Sequence, residues 1–178
     1  MIRPGSGRLV RLVAADFPDH RLVRGPEGAI TFVPEKGIGP VLTMGGRVRK
    51  RFLGRTEIAQ FQTVTDVRRW GHARLRVHHT GRLKRQGIDV RVEEGSEEAT
   101  KLASTLSSDA EFGDSASLLD FTRFDIDLDG ERCVATVEVM GASFVSIAFP
   151  PIRSYVRLHD DQREALVGCL SALERLVT

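Results

Sequence analysis

An α+β domain built mainly on antiparallel sheet is the fold class this sequence predicts, and three observations predict it. Strand-like alternation comes in clusters, at 72–79, 88–92 and 121–139. Helical periodicity falls between and after those clusters, without the regular strand–helix exchange of a parallel sheet. The chain then closes on a wide apolar helical stripe, which must lie on something. The expected architecture is a single domain, 1–178: an antiparallel sheet with an amphipathic C-terminal helix and one or more further helices packed on it. A chain of 178 residues, 41% hydrophobic, can bury such a core without metals or disulfides.

Each element has a local reason. Leu9, Leu12, Val13 and Phe17 stand at helical spacing, with Ser6 as N-cap, so a helix is expected over 7–16. "HRLVRGPEGAITFV" reads as two short strands around Gly-Pro-Glu-Gly. Residues 35–55 mix glycines with a basic run and yield no assignment. "TEIAQFQTV" (56–64) reads as a strand. "HARLRVHH" puts Ala73, Leu75 and Val77 on one face, and "GIDVRVEE" does the same with Ile88, Val90 and Val92. Two half-buried antiparallel strands joined by "TGRLKRQG" follow. Ser96, Glu97 and Glu98 then open a helix whose stripe is Ala99, Leu102, Ala103 and Leu106.

Asp129-Gly130 between alternating runs is a strong hairpin signal. A two-residue turn there would set Ile126 opposite Cys133 and Asp127 opposite Arg132. Gly141 is expected to allow a second reversal into "SFVSIAF", a central strand apolar on both faces. Pro150 and Pro151 stop it, because neither can donate to a ladder. A helix is expected over 161–177, with Asp161 and Glu164 as a capping box. Cys133 and Cys169 fall at apolar positions and read as small buried hydrophobes, not as a disulfide.

No uncharged run approaches the ~18 residues that a membrane span needs. The N-terminus lacks a signal-peptide core, so a cytoplasmic address and no membrane partner are expected. "DIDLDG" (125–130) copies the start of a calcium-binding loop, but its twelfth position is Thr136 where a bidentate Glu is required, and its flanks are strands. Calcium is rejected. The five histidines and two cysteines show no metal-ligand spacing, and no cofactor is expected. Nucleophile elbows, phosphate-binding glycine loops and dinucleotide fingerprints are all missing from the sequence.

Charge layout is the conspicuous feature. Net charge is only +2, yet residues 47–91 carry thirteen Lys or Arg against three acids, while 93–131 carry twelve acids against two bases. The two segments either fold against each other, pair between subunits of a homodimer, or leave a basic face for phosphates. In the last case Arg68, Arg69, Trp70, Arg74 and Arg76 are the contact residues, with Trp70 stacking on a base.

A second candidate lies after the prolines. With 152–158 extended, Ile152, Val156 and Leu158 are expected to turn inward, and Arg153, Tyr155 and Arg157 outward together, His159 joining them. Two guanidiniums on one strand face, spaced by a phenol, can grip a carboxylate or phosphate. The bland counterpart is a solvated face whose arginines pair with nearby acids.

The stretch "VMGASFVSIAFPPIRSYVRLHDDQREALVGCLSALERLV" (139–177) resembles a family of uncharacterised bacterial proteins that close on a similar proline–Arg–Tyr–Val stretch and terminal helix. The resemblance implies a single-domain bacterial protein and carries no activity. The leading expectation is a non-catalytic binding module for a protein partner or an anionic small ligand. The alternatives are a nucleic-acid-associated module using 47–91, and an enzyme on an anionic substrate with His159 as acid–base.

Overall fold

Ser6 and the apolar stripe behind it start the fold as expected. Its hydroxyl accepts from the Leu9 N–H, and helix α1 (Gly7–Ala14) buries Leu9 and Val13. A computed structural model describes residues 3–25, 29–52, 54–67, 70–81 and 87–178. The turn residues 26–28, Arg68, Arg69 and most of the 80–87 connection lie outside the described residues. Strands β1 (His20–Arg24) and β2 (Ile30–Pro34) pair as the expected hairpin.

The segment that resisted reading is strand β3 (Leu42–Arg51), paired with β4 (Gly54–Asp66). Gly45 and Gly46 hide the alternation in β3. Gly46 is needed because the N-terminal segment lies directly on it. Its N–H donates to the Arg3 carbonyl at 2.8 Å, and a Cβ there would come within 2.8 Å of the Gly5 backbone. Strands β5 (His72–Thr80) and β6 (Gly87–Glu94) pair antiparallel, with Ala73, Leu75 and Val77 buried as expected.

Helix α2 (Glu97–Ser108) follows, with Ser96 in the cap position but making no side-chain cap bond. Helix α3 (Ala110–Leu118) was not foreseen. Its signals are Asp109, whose carboxylate accepts from the Phe112 N–H, and a short stripe of Phe112 and Ala116. Gly113 and three serines or aspartates dilute that stripe below recognition.

Strands β7 (Phe121–Asp129) and β8 (Arg132–Ile147) form the predicted hairpin in a different register. Leu128 faces Cys133 and Ile126 faces Ala135, so Gly130 and Glu131 are the central pair. Gly130 has φ +96°, which the first central position of such a turn demands. Arg132 is clamped to Asp129 at 2.8 Å instead of facing Asp127. The shift is two residues, so the core assignment survives.

Gly141 does not reverse the chain. Strand β8 runs on, with 139–142 bulged opposite Ala59 and Ala142 at φ +59°. One edge of β8 pairs with β4 throughout. The other pairs first with β7 and, past the bulge, with β9 (Ile152–Val156). The bulge inverts the facing. Before it the odd residues of β8 face the core; beyond it Phe144 and Ser146 lie on the side of Glu57 and Arg55. By register Tyr155 and Arg153 share that side, while Ile152 and Val156 are exposed on the other, against expectation.

All strands join one sheet in the order β1-β2-β3-β4-β8-β7-β5-β6, with β9 on β8 and every pairing antiparallel. The last helix, α4 (Asp160–Val177), buries Leu166, Cys169, Leu170 and Leu173. Its N-cap is His159 with no side-chain cap bond, so the proposed capping box does not form. The core is continuous from Leu9 and Phe17 through Phe32 and Phe61 to Leu75 and Val90. The fold class is α+β as predicted, and among the described residues no helix is long and apolar enough to cross a membrane.

Candidate functional site

The Arg153–His159 row meets its first acid inside the fold. Asp16, just past α1 and only 2% exposed, accepts from Tyr155 Oη at 2.5 Å, Arg157 Nε at 2.8 Å and the Leu158 N–H at 3.0 Å. Burial and the bond to Asp16 push the Tyr155 hydroxyl above its ordinary value, so it stays protonated and donating. Arg163 Nη1 ties α4 to the same corner through the Asp16 carbonyl at 2.8 Å. Tyr155 and Arg157 thus fasten α1 to β9 and α4. His159 is exposed at the start of α4 and does not line the cleft that Arg153 lines.

The basic and acidic segments touch across the sheet. Arg74 meets Asp127 at 2.9 Å, and Arg76 meets both Asp125 at 2.9 Å and Glu93 at 2.7 Å. Trp70 packs against the core and donates Nε1–H to the Val177 carbonyl at 3.0 Å. Arg47 and Arg49 each reach the buried Glu138 at 2.8 Å, where Gln60 also donates. Burial alone would disfavour the Glu138 carboxylate, but Arg47, Gln60 and Arg49 outweigh it and hold its pKa below the ordinary value. The charge segregation along the chain is largely cancelled on this face.

A different set of arginines lacks such partners. Arg8 from α1, Arg55 from β4 and Arg153 from β9 line one cleft of about 250 Å³, with Ser6, Glu57 and Phe144. Arg8 sits over the Phe144 ring at 4.1 Å from its centroid, which holds the guanidinium in place. Among the described residues no carboxylate forms an ion pair with Arg8, Arg55 or Arg153. Glu57 is spoken for: one oxygen accepts the Ser6 N–H at 2.7 Å and the other the Ser6 hydroxyl at 2.8 Å. A neighbouring cleft of about 620 Å³ shares Ser6, Arg55 and Glu57 and adds Arg3, Arg47 and Arg123.

Guanidiniums neither gain nor lose protons near neutral pH, so what this trough offers is recognition of oxyanions by forked donors. Sequence reasoning reached Arg153 but not Arg8 or Arg55, because 98 residues separate Arg55 from Arg153 along the chain and only the sheet unites them. A legible signal existed: 139–159 contains no acid at all.

An α+β protein with an arginine-lined trough beside its first helix is therefore the class that fold and site define. The chain belongs to the family described as protein of unknown function (DUF3156), which matches residues 15–177. That match extends far beyond the C-terminal stretch that carried the resemblance. It includes Asp16, Arg55, Arg153, Tyr155 and Arg157; Ser6 and Arg8 precede it. Comparison with curated proteins and with solved structures gives no match.

Proposed function

We propose that this protein is a binding module for a small ligand bearing a phosphate or carboxylate group, held by Arg8, Arg55 and Arg153. The single observation behind the reading is that three guanidiniums line one small cleft with no carboxylate paired to any of them. The Glu57 carboxylate, bound by Ser6, lines the same cleft and offsets one of the three charges; the excess positive charge that remains favours an anion joining them. Arg8 is already fixed by Phe144, so less freedom is lost on binding than for a free side chain. The role is recognition without covalent chemistry, and the two free buried cysteines suit a reducing, cytoplasmic setting.

Titration calorimetry with inorganic phosphate and with pyrophosphate at low salt tests the reading. Wild type should bind pyrophosphate more tightly than phosphate. Arg55→Ala and Arg153→Ala, both at exposed positions, should each weaken binding about tenfold or more, as expected for charge-assisted hydrogen bonds. Binding untouched by both substitutions, or no binding by wild type, would overturn it.

A further inference from the structure

Two hairpin ends lie side by side at one end of the sheet. Gly54 pairs with Ile147 across β4 and β8, so the end of β3 at Arg51, followed by Phe52, stands next to the β8–β9 turn at 148–151. Each presents a bare aromatic ring: Phe52 is 100% exposed and Phe149 79%. Ile152 and Met140 are exposed nearby, and a shallow apolar hollow of about 510 Å³ runs between Ile58, Met140, Val145, Ile147 and Phe149. Monomeric proteins seldom display apolar groups so fully at convex tips without a partner for them.

The unpaired charge nearby is basic. Residues 47–56 and 139–159 contain no acid; Arg47 and Arg49 are taken up by Glu138 and Arg157 by Asp16, which leaves Lys50, Arg55 and Arg153 with no ion-pair partner among the described residues. We infer that this end of the molecule docks on an anionic lipid surface, Phe52 and Phe149 entering the headgroup layer while the basic residues face lipid phosphates. Three features select that occupant. The rings protrude from turns, which suits a soft interface better than a pre-cut pocket. The unpaired charges of the rim, Lys50, Arg55 and Arg153, are all basic, which complements acidic headgroups. A second copy of the same end would bring like charge against like charge. That no helix among the described residues is long and apolar enough to cross a bilayer does not bear on resting against one. Arg55 lines both this hollow and the oxyanion cleft, but the inference stands on the phenylalanines, which the cleft does not use.

Vesicle co-sedimentation tests it with phosphatidylcholine alone and with phosphatidylcholine mixed with phosphatidylglycerol, for the full chain at low and high salt. Wild type should pellet with the mixed vesicles and not with phosphatidylcholine alone, and high salt should release it. Phe52→Ser and Phe149→Ser should each lower vesicle partition about tenfold, and the double variant should abolish it. The double variant should still titrate with pyrophosphate like wild type, which proves it folded and separates failure here from failure of the cleft. No pelleting of wild type overturns the inference, as does equal pelleting with phosphatidylcholine alone. Full retention by the double variant overturns it too, as does wild-type self-association that the double variant loses while vesicles capture neither.

Discussion

Replacing Asp16 by alanine should unfasten the joint between α1, β9 and α4, and the cost can be worked from its partners. Three donors converge on this carboxylate, and they are not equally buried. The Leu158 N–H is buried and the Tyr155 hydroxyl half-buried, so each loses its acceptor where water cannot freely replace it. Such a loss is worth about 1–3 kcal/mol per group. The Arg157 side chain is 63% exposed and simply returns to solvent. The two groups together give about 2–6 kcal/mol, and the cost of breaking one side of a buried pair narrows this to about 3–5 kcal/mol. In a chain of this size that lowers Tm by about 6–20 °C. Tyr155→Phe removes one bond and should cost about 1–2 kcal/mol. Arg157→Ala should cost at most about 1 kcal/mol, as exposed partners do. Urea unfolding of the three variants, with matched m-values, measures the series. The reasoning fails if Arg157→Ala destabilises as much as Asp16→Ala, or if Asp16→Ala costs under about 1 kcal/mol.

Glu138 supplies a pH-dependent counterpart. Its folded pKa is depressed below the ordinary carboxyl value of 4.5, so its stabilisation is present above that value and is lost as pH falls through the folded pKa. Wild type should exceed Glu138→Gln in stability at neutral pH, with the gap closing below pH 4.5 in thermal melts; a gap that widens on acidification would contradict the assignment. Burial pushes the Cys133 and Cys169 thiols up to about 12, so neither should react with a chromogenic disulfide reagent at pH 8 in the native state, and both should react in guanidinium.

Much of the fold was legible because side-chain alternation and turn chemistry are local. Leu75, Val77 and Val90 declared their faces, and Asp129-Gly130 declared a reversal. The register of that turn was not legible, since Asp-Gly and Gly-Glu central pairs keep the same residues inward. The bulge was not legible either, because Gly141 next to Ala142 looks the same whether the strand reverses or swells. Missing it turned β9 over, which is why Ile152 was expected inside and is found outside. The candidate site was the least legible part. The Arg153–Tyr155–Arg157 row was expected outward, but the turned-over strand lays it on the face beside α1, and no spacing rule connects it to Asp16, 139 residues before Tyr155. Likewise Arg8, Arg55 and Arg153 converge only after α1 has settled on β4 and β8.

The bulge in β8 also bears on how this chain can change over time. A one-residue slip in an ordinary strand turns every side chain to the wrong face, so substitutions and insertions along it constrain one another. Here the slack at 139–142 breaks that constraint. The half of β8 beside β7 must keep Cys133, Ala135 and Val137 under the helices, whereas beyond the bulge Ala142 and Ser143 are buried and the remaining positions face the cleft, the α1 joint and the tip. Substitutions at those remaining positions can therefore change what the molecule grips with less disturbance to the helix-covered core, although both are spelled on a single strand.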